Sequence, residues 1–350
     1  MDYNIFSSTG LKLVEDKYNQ RAKLDTGTFC NYECYFCYYL NDLDKITPVD
    51  IIKKRAKKLR DFGISEVDLS GGESAVHRDW FQILDYCNEL GFTHISALTN
   101  GSKFANLDFA KKSFQHGLKE LLFSVHGYDE KSHDEIVGRK GAYRKILKAI
   151  SNCKEVGIRI RINCTVTNKN FDFLESHYVD LINQIKPEQL NFLPLNYWED
   201  ANKLEVHSYN LLSESIKKAI DKLNPEIEIN VRYIPYCFMK GYEKYVVGVY
   251  QHIFDRDDWN IMTYEVDQFE VKEVSIKDYF EVAKRKREYT YSKKKECFDC
   301  KYFFICDGVE KKVVSEQELY PVRGEKIEDV NFYRRGHYPI CDYNRENGNE

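Results

Sequence analysis

The chain contains 350 residues, of which 43% are hydrophobic and 31% are charged, and its formal net charge is −4. This composition is typical of a folded protein with a substantial core, and the length allows one large α/β domain with a small extension, or two domains. The slight excess of acidic residues produces no basic field, so we expect no nucleic-acid partner.

The amino-terminal residues lack the charged segment and apolar stretch that form a secretory signal. No apolar run approaches the roughly 18 residues that a membrane-spanning helix needs. We therefore expect a cytoplasmic protein without a membrane partner. In that reducing compartment its 11 cysteines are expected to be metal ligands, catalytic groups or core residues rather than disulfides.

Between residues 22 and 235, short apolar runs alternate with amphipathic stretches. The predicted strands are residues 22–28, 66–70, 94–99, 121–126, 158–166, 189–195 and 227–234. The predicted helices are residues 50–62, 79–90, 106–116, 143–156, 173–185 and 211–223. This alternation predicts a parallel sheet with right-handed crossovers, folded as a partial (β/α)6 barrel of the TIM-barrel type. The functional groups of such a barrel gather at the carboxyl ends of its strands.

The predicted strand 158–166 has one apolar face and one polar face. The polar face carries Arg159, Arg161, Asn163 and Thr165. A closed, dry barrel interior would not accept these side chains, because unpaired buried charge is expensive. We therefore expect a partly open barrel with a polar ligand in its lumen. The alternative is a sheet with one solvated face.

After residue 235 the alternation stops, and the one further helix predicted is at residues 276–285. The predicted organisation is a lead-in at residues 1–21, a barrel at residues 22–235 and a cysteine-rich extension at residues 236–350. No low-complexity linker separates these parts, so we expect the extension to pack against the barrel.

Three cysteines directly follow the first predicted strand. Cys30, Cys34 and Cys37 are spaced by four and three residues, which fits a tight loop around an iron–sulfur cluster, since thiolate and iron are both soft. Three ligands for four irons leave one iron open to a small chelating molecule. A zinc site is the alternative, but zinc sites usually contain paired C-x₂-C units.

The C-x₃-C-x-aromatic-C motif, with Phe36 in the aromatic position, resembles the defining motif of the radical S-adenosylmethionine (SAM) superfamily. Gly71-Gly72-Glu73, after the second predicted strand, is similar to a segment of that family whose backbone and carboxylate receive the amino group of SAM. The chain has Ser74 where the family usually has proline.

The resemblance covers roughly residues 22–200 and implies further SAM contacts from Asn100, Ser124, Arg139 and Asn163. It also implies the cofactors, a [4Fe–4S] cluster and SAM, and the chemistry. The reduced cluster cleaves SAM, and the resulting 5′-deoxyadenosyl radical abstracts hydrogen from a substrate. A reducing partner such as flavodoxin or ferredoxin is implied as well.

A second cysteine cluster, Cys297, Cys300 and Cys306, has the spacing C-x₂-C-x₅-C. By spacing alone, a zinc-ribbon fragment competes with an auxiliary iron–sulfur cluster. The spacing resembles the SPASM and twitch extensions of radical SAM enzymes, which carry auxiliary [4Fe–4S] clusters. Glu310 stands where the SPASM pattern has a further cysteine, which implies one auxiliary cluster, as in the twitch type.

The fourth ligand of this auxiliary cluster is left open between two cysteines. Cys237 follows the last predicted strand, and Cys341 lies in the position of a closing cysteine. We expect Cys237 in preference to Cys341. If neither binds, the open iron could bind substrate.

Two kinds of substrate suit one auxiliary cluster. The first is a small polar metabolite, such as a sugar or cyclitol, that is oxidised or epimerised; the second is a ribosomally made peptide. We expect the small metabolite, because only 29 residues precede Cys30, too few for a peptide-recognition domain. A different class, a non-catalytic zinc or electron-transfer protein, could use the same cysteines. The sequence assigns no catalytic residue.

Overall fold

A parallel sheet of seven strands, paired in chain order, forms the centre of the computed structural model. The structure describes residues 3–6, 11–13, 19–195, 208–255, 276–311 and 319–334. The sheet strands are β3 (Arg21–Asp25), β4 (Glu66–Ser70), β5 (His94–Thr99), β6 (Leu118–Ser124), β7 (Arg159–Val166), β8 (Gln189–Pro194) and β9 (Glu228–Val231). Within these described ranges β3 and β9 pair with no strand beyond β4 and β8, so the sheet is open.

Helices connect the strands, and two short hairpins accompany the sheet. The hairpins are β1 (Tyr3–Phe6) with β2 (Leu11–Leu13), and β10 (Tyr291–Ser292) with β11 (Val309–Glu310). The helices are α1 (Val49–Asp61), α2 (Trp80–Glu89), α3 (Leu107–Gln115), α4 (Glu130–Val137), α5 (Ala142–Val156), α6 (Val179–Ile185), α7 (Tyr209–Lys222) and α8 (Ile276–Thr290). A π-helical turn, Leu174–Tyr178, precedes α6.

The predicted α/β architecture is confirmed, and the seven predicted strands form one open parallel sheet. Strands β4 and β5 have the predicted bounds, and the ends of the other strands differ from the prediction by at most three residues. The predicted helices have counterparts too, and α8 extends five residues beyond its predicted end. Helix α4 and both hairpins were not predicted.

Each sheet strand has an apolar face that packs against the surrounding helices. In β7, Ile160, Ile162 and Cys164 are buried in the main core, where they join Ile146 and Cys153 of α5. Alternate residues are buried because successive side chains of a strand point to opposite faces of the sheet. The opposite face of the sheet, which we call the lumen, is polar.

Glu120 in β6 is the centre of a buried ion network at the amino end of the lumen. Its carboxylate accepts hydrogen bonds from Arg21 Nη1 (2.9 Å), Arg161 Nε (2.6 Å) and Arg159 Nη1. Burial alone would raise the pKa of Glu120, but the Arg161 and Arg21 guanidiniums hold the pKa well below its usual range. The arginines of β7 are thus compensated by a carboxylate of the protein, and no ligand is needed to explain them, contrary to our expectation.

Described residues that follow β9, such as Tyr236, Phe280 and Val330, belong to the same hydrophobic core as the sheet. Asn19 N donates to Ile253 O (2.7 Å), and Arg334 Nη2 donates to Asn230 Oδ1 (2.6 Å). These contacts tie the carboxyl-terminal part to β3 and β9. None of the helices described has the combination of length and apolarity needed to cross a bilayer.

We predict that Glu120→Gln lowers the free energy of unfolding by about 3–5 kcal/mol, because it leaves buried arginines without their counter-charge. Urea unfolding monitored by circular dichroism measures this change. Asp61→Asn is the matched control, because it removes one carboxylate from the exposed Lys57–Asp61 pair of α1. An equal effect of the two substitutions would contradict a special role for the buried network.

Candidate active site

Cys30, Cys34 and Cys37 lie in one loop at the carboxyl end of β3, which we call the Cys loop (residues 30–37). Burial raises the pKa of the Cys34 thiol to about 12, and negative charge on Cys37 and Cys30 adds to this effect. Burial likewise raises the pKa of Cys30 to about 11. Since the thiols influence one another and resist ionisation alone, the loop suits a positively charged metal centre that stabilises thiolates.

The spacing of the donor side chains bears on the kind of metal centre. In the part of the chain that the structure describes, no three Cys, His, Asp or Glu side chains converge closely enough to share one ion. A single zinc ion would hold its thiolates about 2.3 Å from one point, whereas an iron–sulfur cluster binds thiolates at separate iron atoms. A cluster therefore requires less convergence of the three sulfur atoms than a single zinc ion does.

The unpredicted helix α4 supports the Cys loop. Glu33 N donates to Val137 O (3.2 Å), and Tyr35 N donates to Ile136 O (3.2 Å), so the loop binds the carbonyl end of the helix. Gly138 ends the helix with φ 63°, and a Cβ at this position would lie 2.5 Å from Glu33 O. The glycine thus permits the close approach of helix and loop.

Gly71 and Gly72 join the end of β4 to the start of the Cys loop. A Cβ on Gly71, whose φ is +127°, would lie 2.0 Å from Gly27 O, and a Cβ on Gly72 would lie 2.2 Å from Phe29 O. The chains are held there by hydrogen bonds from Gly72 N to Gly27 O and from Glu73 N to Phe29 O, each 2.8 Å. No residue with a side chain fits at either position without moving the loop.

Glu73 is 3% exposed and connects the ends of β4 and β5. Its carboxylate accepts hydrogen bonds from Thr99 Oγ1 (2.7 Å) and Asn100 N (2.5 Å). Burial raises its pKa to about 7, and these hydrogen bonds oppose the shift. The carboxylate also accepts from the backbone N–H of Ala75, which leaves one further lone pair for an ammonium group. Asn100 Nδ2 also donates to Asn31 Oδ1 (2.9 Å) in the Cys loop.

The remaining residues expected to contact SAM lie near the same edge of the sheet. Ser124 ends β6 and is in register with Asn163 of β7, whose Oδ1 accepts a hydrogen bond from Asn191 Nδ2 (2.8 Å). Arg139 is exposed directly after α4, and its charge opposes the rise that burial causes in the pKa of Tyr32. The structure therefore places these residues on the strand ends and loops around the Cys loop.

Sequence reasoning missed His126, which is buried beside the Cys loop. Its ring lies edge-on to Phe36, with 5.0 Å between ring centroids, and its Nδ1 accepts from Thr165 N (3.1 Å). Burial lowers the pKa of His126 to about 3, so the ring is neutral and its proton resides on Nε2. His126 falls inside the Ser124–Gly127 segment, which the sequence had singled out for its serine.

Four cysteines line a second pocket. Cys237, Cys297, Cys300 and Cys306 border it together with Lys293, and we call it the second cysteine pocket. The pKa of Cys237 is raised to about 12, mainly by burial. Negative charge on Cys306, Cys300 and Cys297 adds to this rise. Of the two candidates for a fourth ligand, Cys237 is therefore brought to this cluster, and Cys341 lies outside the described residues.

The second cysteine pocket is built from short elements. Cys237 lies in the 3-10 turn Tyr236–Phe238 after β9, and Cys297 lies in the 3-10 turn Lys295–Asp299. Arg287 of α8 donates to Phe304 O (2.9 Å) and to Cys306 O, which fixes the loop that carries Cys300 and Cys306. The pocket thus connects the end of the sheet with the carboxyl-terminal hairpin.

Comparison with known families identifies the class of this site. Residues 24–175 match the family model of the Radical SAM superfamily. The matched region begins in β3, contains the whole Cys loop and ends in the π-helical turn before α6. The domain formed by these residues belongs to the radical SAM superfamily, as the motif of the Cys loop predicted. Members of this family use a [4Fe–4S] cluster and SAM.

Similar proteins include probable GTP 3′,8-cyclases. The chain is 29% identical over 208 residues to that of Sulfolobus acidocaldarius, covering 57% of this chain and 60% of the relative. It is 30% identical over 206 residues to that of Saccharolobus solfataricus, covering 55% and 65%. The chain thus spans less than two thirds of the length of these relatives.

Two solved structures share the fold. anSMEcpe with bound AdoMet and Cp18Cys peptide matches with a TM-score of 0.56 and 15% identity, covering 93% of this chain and 97% of that one. SuiB of Streptococcus suis bound to S-adenosylmethionine matches with a TM-score of 0.51 and 18% identity, covering 65% and 52%.

The buried histidines predict how stability depends on pH. Burial lowers the pKa of His126 to about 3 and that of His133 to about 4, below the value near 6.5 of an unfolded histidine. The neutral forms of the two histidines contribute their full stability above pH ~6.5. This contribution is lost as the pH falls from there to the folded-state pKa values. We predict that His133→Asn makes the loss between pH 6.5 and 4 less steep, as measured by urea unfolding at each pH.

The asparagine retains an acceptor for His126 N, which donates to His133 Nδ1 (3.3 Å). His177→Asn, at an exposed site, is the control and should leave the pH dependence unchanged. Equal slopes for the His133 variant and the original protein would show that His133 binds a proton in the folded state.

Proposed function

We propose that the chain is an enzyme in which Cys30, Cys34 and Cys37 hold a [4Fe–4S] cluster with one iron open to SAM. The observation that supports this most directly is the set of three free thiols in the Cys loop, within the segment that matches the radical SAM family model. When bound, the reduced cluster supplies the electron that cleaves SAM to methionine and the 5′-deoxyadenosyl radical that abstracts hydrogen from a substrate. A flavodoxin or ferredoxin is the reductant we propose.

The surrounding residues bind and orient SAM. Glu73 has a free lone pair for the amino group and is held in place by Thr99 and Asn100. Arg139 supplies a positive charge for the carboxylate of SAM, and the polar ends of β6 and β7 offer Ser124 and Asn163 to its ribose. Phe36 and the glycine pair shape the loop without supplying a charge.

The second cysteine pocket holds one auxiliary [4Fe–4S] cluster with four protein ligands. Its fit rests on four neighbouring thiols that line one pocket, where burial raises the pKa of Cys237, Cys297 and Cys306. With Cys237 as the fourth ligand, no iron is left for substrate. The pocket therefore serves electron transfer, and the carboxyl-terminal part acts as a twitch-like extension of the domain that precedes it.

The proposed substrate is a small polar metabolite of the sugar or cyclitol type, which is oxidised or epimerised. The arginines of the Glu120 network are paired with Glu120 and Glu66 at the amino end of the lumen, so they offer little positive charge to a triphosphate such as GTP near the Cys loop. Among the described residues, Asn191 Oδ1 is buried and has no hydrogen-bond partner, and Asn191 lies in register with Asn163 and Asn230. An uncharged hydroxyl group can satisfy that oxygen.

A peptide is the second candidate substrate. The likeness to anSMEcpe, whose structure contains a bound peptide, extends over nearly the whole of both chains. A substrate screen separates the candidates. The reconstituted protein is incubated with SAM, reductant and either deuterated polyols, GTP or cysteine-containing peptides. Deuterium transfer from a polyol into 5′-deoxyadenosine is expected; transfer that depends on GTP or a peptide instead would contradict the polyol assignment.

We predict that Cys37→Ala abolishes SAM cleavage, because the cluster loses a ligand and its open iron is no longer positioned. Cys300→Ala is expected to retain SAM cleavage and lose substrate conversion. Chromatography of 5′-deoxyadenosine and of the product measures both activities. Cys87→Ala is the control, because Cys87 is a buried core residue. Full conversion by Cys300→Ala would show that the second cysteine pocket has no redox role.

The fourth ligand of the auxiliary cluster can be tested by iron content. Anaerobic reconstitution should give a brown protein with about eight iron atoms per chain, as two [4Fe–4S] clusters require. We predict that Cys237→Ala loses the auxiliary cluster, whereas Cys341→Ala retains it. The reverse result would reassign the ligand to Cys341, and a colourless protein that retains zinc would contradict the proposed function.

A further inference from the structure

Lys293 lies in the wall of the second cysteine pocket and is half-buried. Its ammonium group donates a hydrogen bond to Phe303 O and lies 4.2 Å from the centroid of the Phe303 ring. Phe303 is part of the loop that runs between Cys300 and Cys306. The charged end of Lys293 is thus bound to the backbone segment that carries two of the thiols.

The hairpin of β10 and β11 fixes the position of Lys293. Ser292, the residue before it, is in register with Val309, three residues after Cys306. Gly308 has a φ of +95°, and a Cβ at this position would lie 2.3 Å from Ser292 O. The close packing of these two segments holds the lysine backbone beside the chain that leaves Cys306.

Among the described ion pairs, the ammonium group of Lys293 has no carboxylate partner. Asp307, the nearby acid, pairs with Arg287 at 3.7 Å between Oδ1 and Nε, and its Oδ2 accepts from Val249 N (2.9 Å). Burial and then the positive charge of Arg287 lower the pKa of Lys293 to about 8, whereas negative charge on Cys306, Asp307 and Cys297 acts favourably on the lysine. The thiolates of the pocket are therefore the natural counter-charge of this half-buried cation.

A second cavity, of about 240 Å³, borders Lys293 on another side. Its lining contains Lys284 and Arg287 as well as Glu288, so the cavity brings further positive charge near the lysine. A cation with access to such a cavity could turn away from the cysteines. The hydrogen bond to Phe303 O indicates that it is held on the cysteine side.

We propose that Lys293 is the positive counter-charge of the auxiliary cluster and raises the reduction potential of that cluster. The inference rests on the proposed function, because it requires a cluster in the second cysteine pocket. Reduction adds one electron and breaks no bond, so the cluster becomes more negative by one charge. A neighbouring cation at low dielectric stabilises the more negative state and thereby favours reduction.

The test is a redox titration of the reconstituted protein, followed by electron paramagnetic resonance. The signal of the auxiliary cluster is assigned with the Cys30→Ala/Cys34→Ala/Cys37→Ala protein. Lys293→Met is expected to reduce the equilibrium constant for one-electron reduction at least about tenfold, which lowers the midpoint by about 59 mV. Lys293→Arg, which retains the charge, should stay near the original midpoint.

Lys295→Met is the matched control, because it removes the same charge from an exposed position in the same segment, where solvent screens it. An unchanged midpoint in Lys293→Met with full iron content would overturn the inference and leave the proposed function intact. A reconstituted original protein with about four iron atoms would instead contradict the proposed function itself.

If Lys293→Met loses the auxiliary cluster, its midpoint cannot be measured. Cluster retention is then compared with that of Lys293→Gln and Lys293→Arg. If both neutral variants lose the cluster and the arginine variant keeps it, the positive charge is needed to hold the cluster, which supports the inference. Equal loss from all three variants would overturn it, because the side chain would then act through packing alone.

Discussion

The contact between the glycine pair and the Cys loop is the constraint on which the rest of the site depends. Gly71 and Gly72 bring the backbone at the end of β4 against the segment that leads into the cysteines, at distances where a single Cβ would collide with a carbonyl oxygen. The same contact directs Glu73 toward Asn100, which in turn reaches Asn31 of the Cys loop. The positions of three strand ends are therefore set by two residues without side chains.

The two ends of the lumen have opposite characters. At the amino end, Glu120 and two of its arginines, Arg21 and Arg161, are buried, and the carboxylate accepts hydrogen bonds from both. Toward the carboxyl end, the amide oxygen of Asn191 has no hydrogen-bond partner among the described residues. A polar ligand that reaches Asn191 would therefore gain a hydrogen bond that the protein does not supply.

The sequence predicted the strands well because alternation along β7 or β4 is a local property. It did not predict the partner of Arg159 and Arg161, because Glu120 reaches them only through the register of β6 and β7. Helix α4 was missed, since eight residues carry little periodic signal, although Asp129 at its N-cap and Gly138 after its end are typical helix boundaries. The cysteine motifs were recognisable because their spacing is local, whereas the approach of Cys237 to Cys306 depends on the whole fold.

The two cysteine sites differ in the charge that faces their thiols. At the Cys loop, burial is the main cause that raises the pKa of Cys30. The negative charge of the Glu73 carboxylate raises it further. At the second cysteine pocket, the charge of Lys293 favours negative sulfur at Cys306, and the weaker effect of Asp307 opposes it. In the proposed reaction Lys293 makes the second cluster the better electron acceptor, because it stabilises the added negative charge. The carboxylate of Glu73 is instead matched with the ammonium group of SAM, so its charge is balanced in the proposed complex.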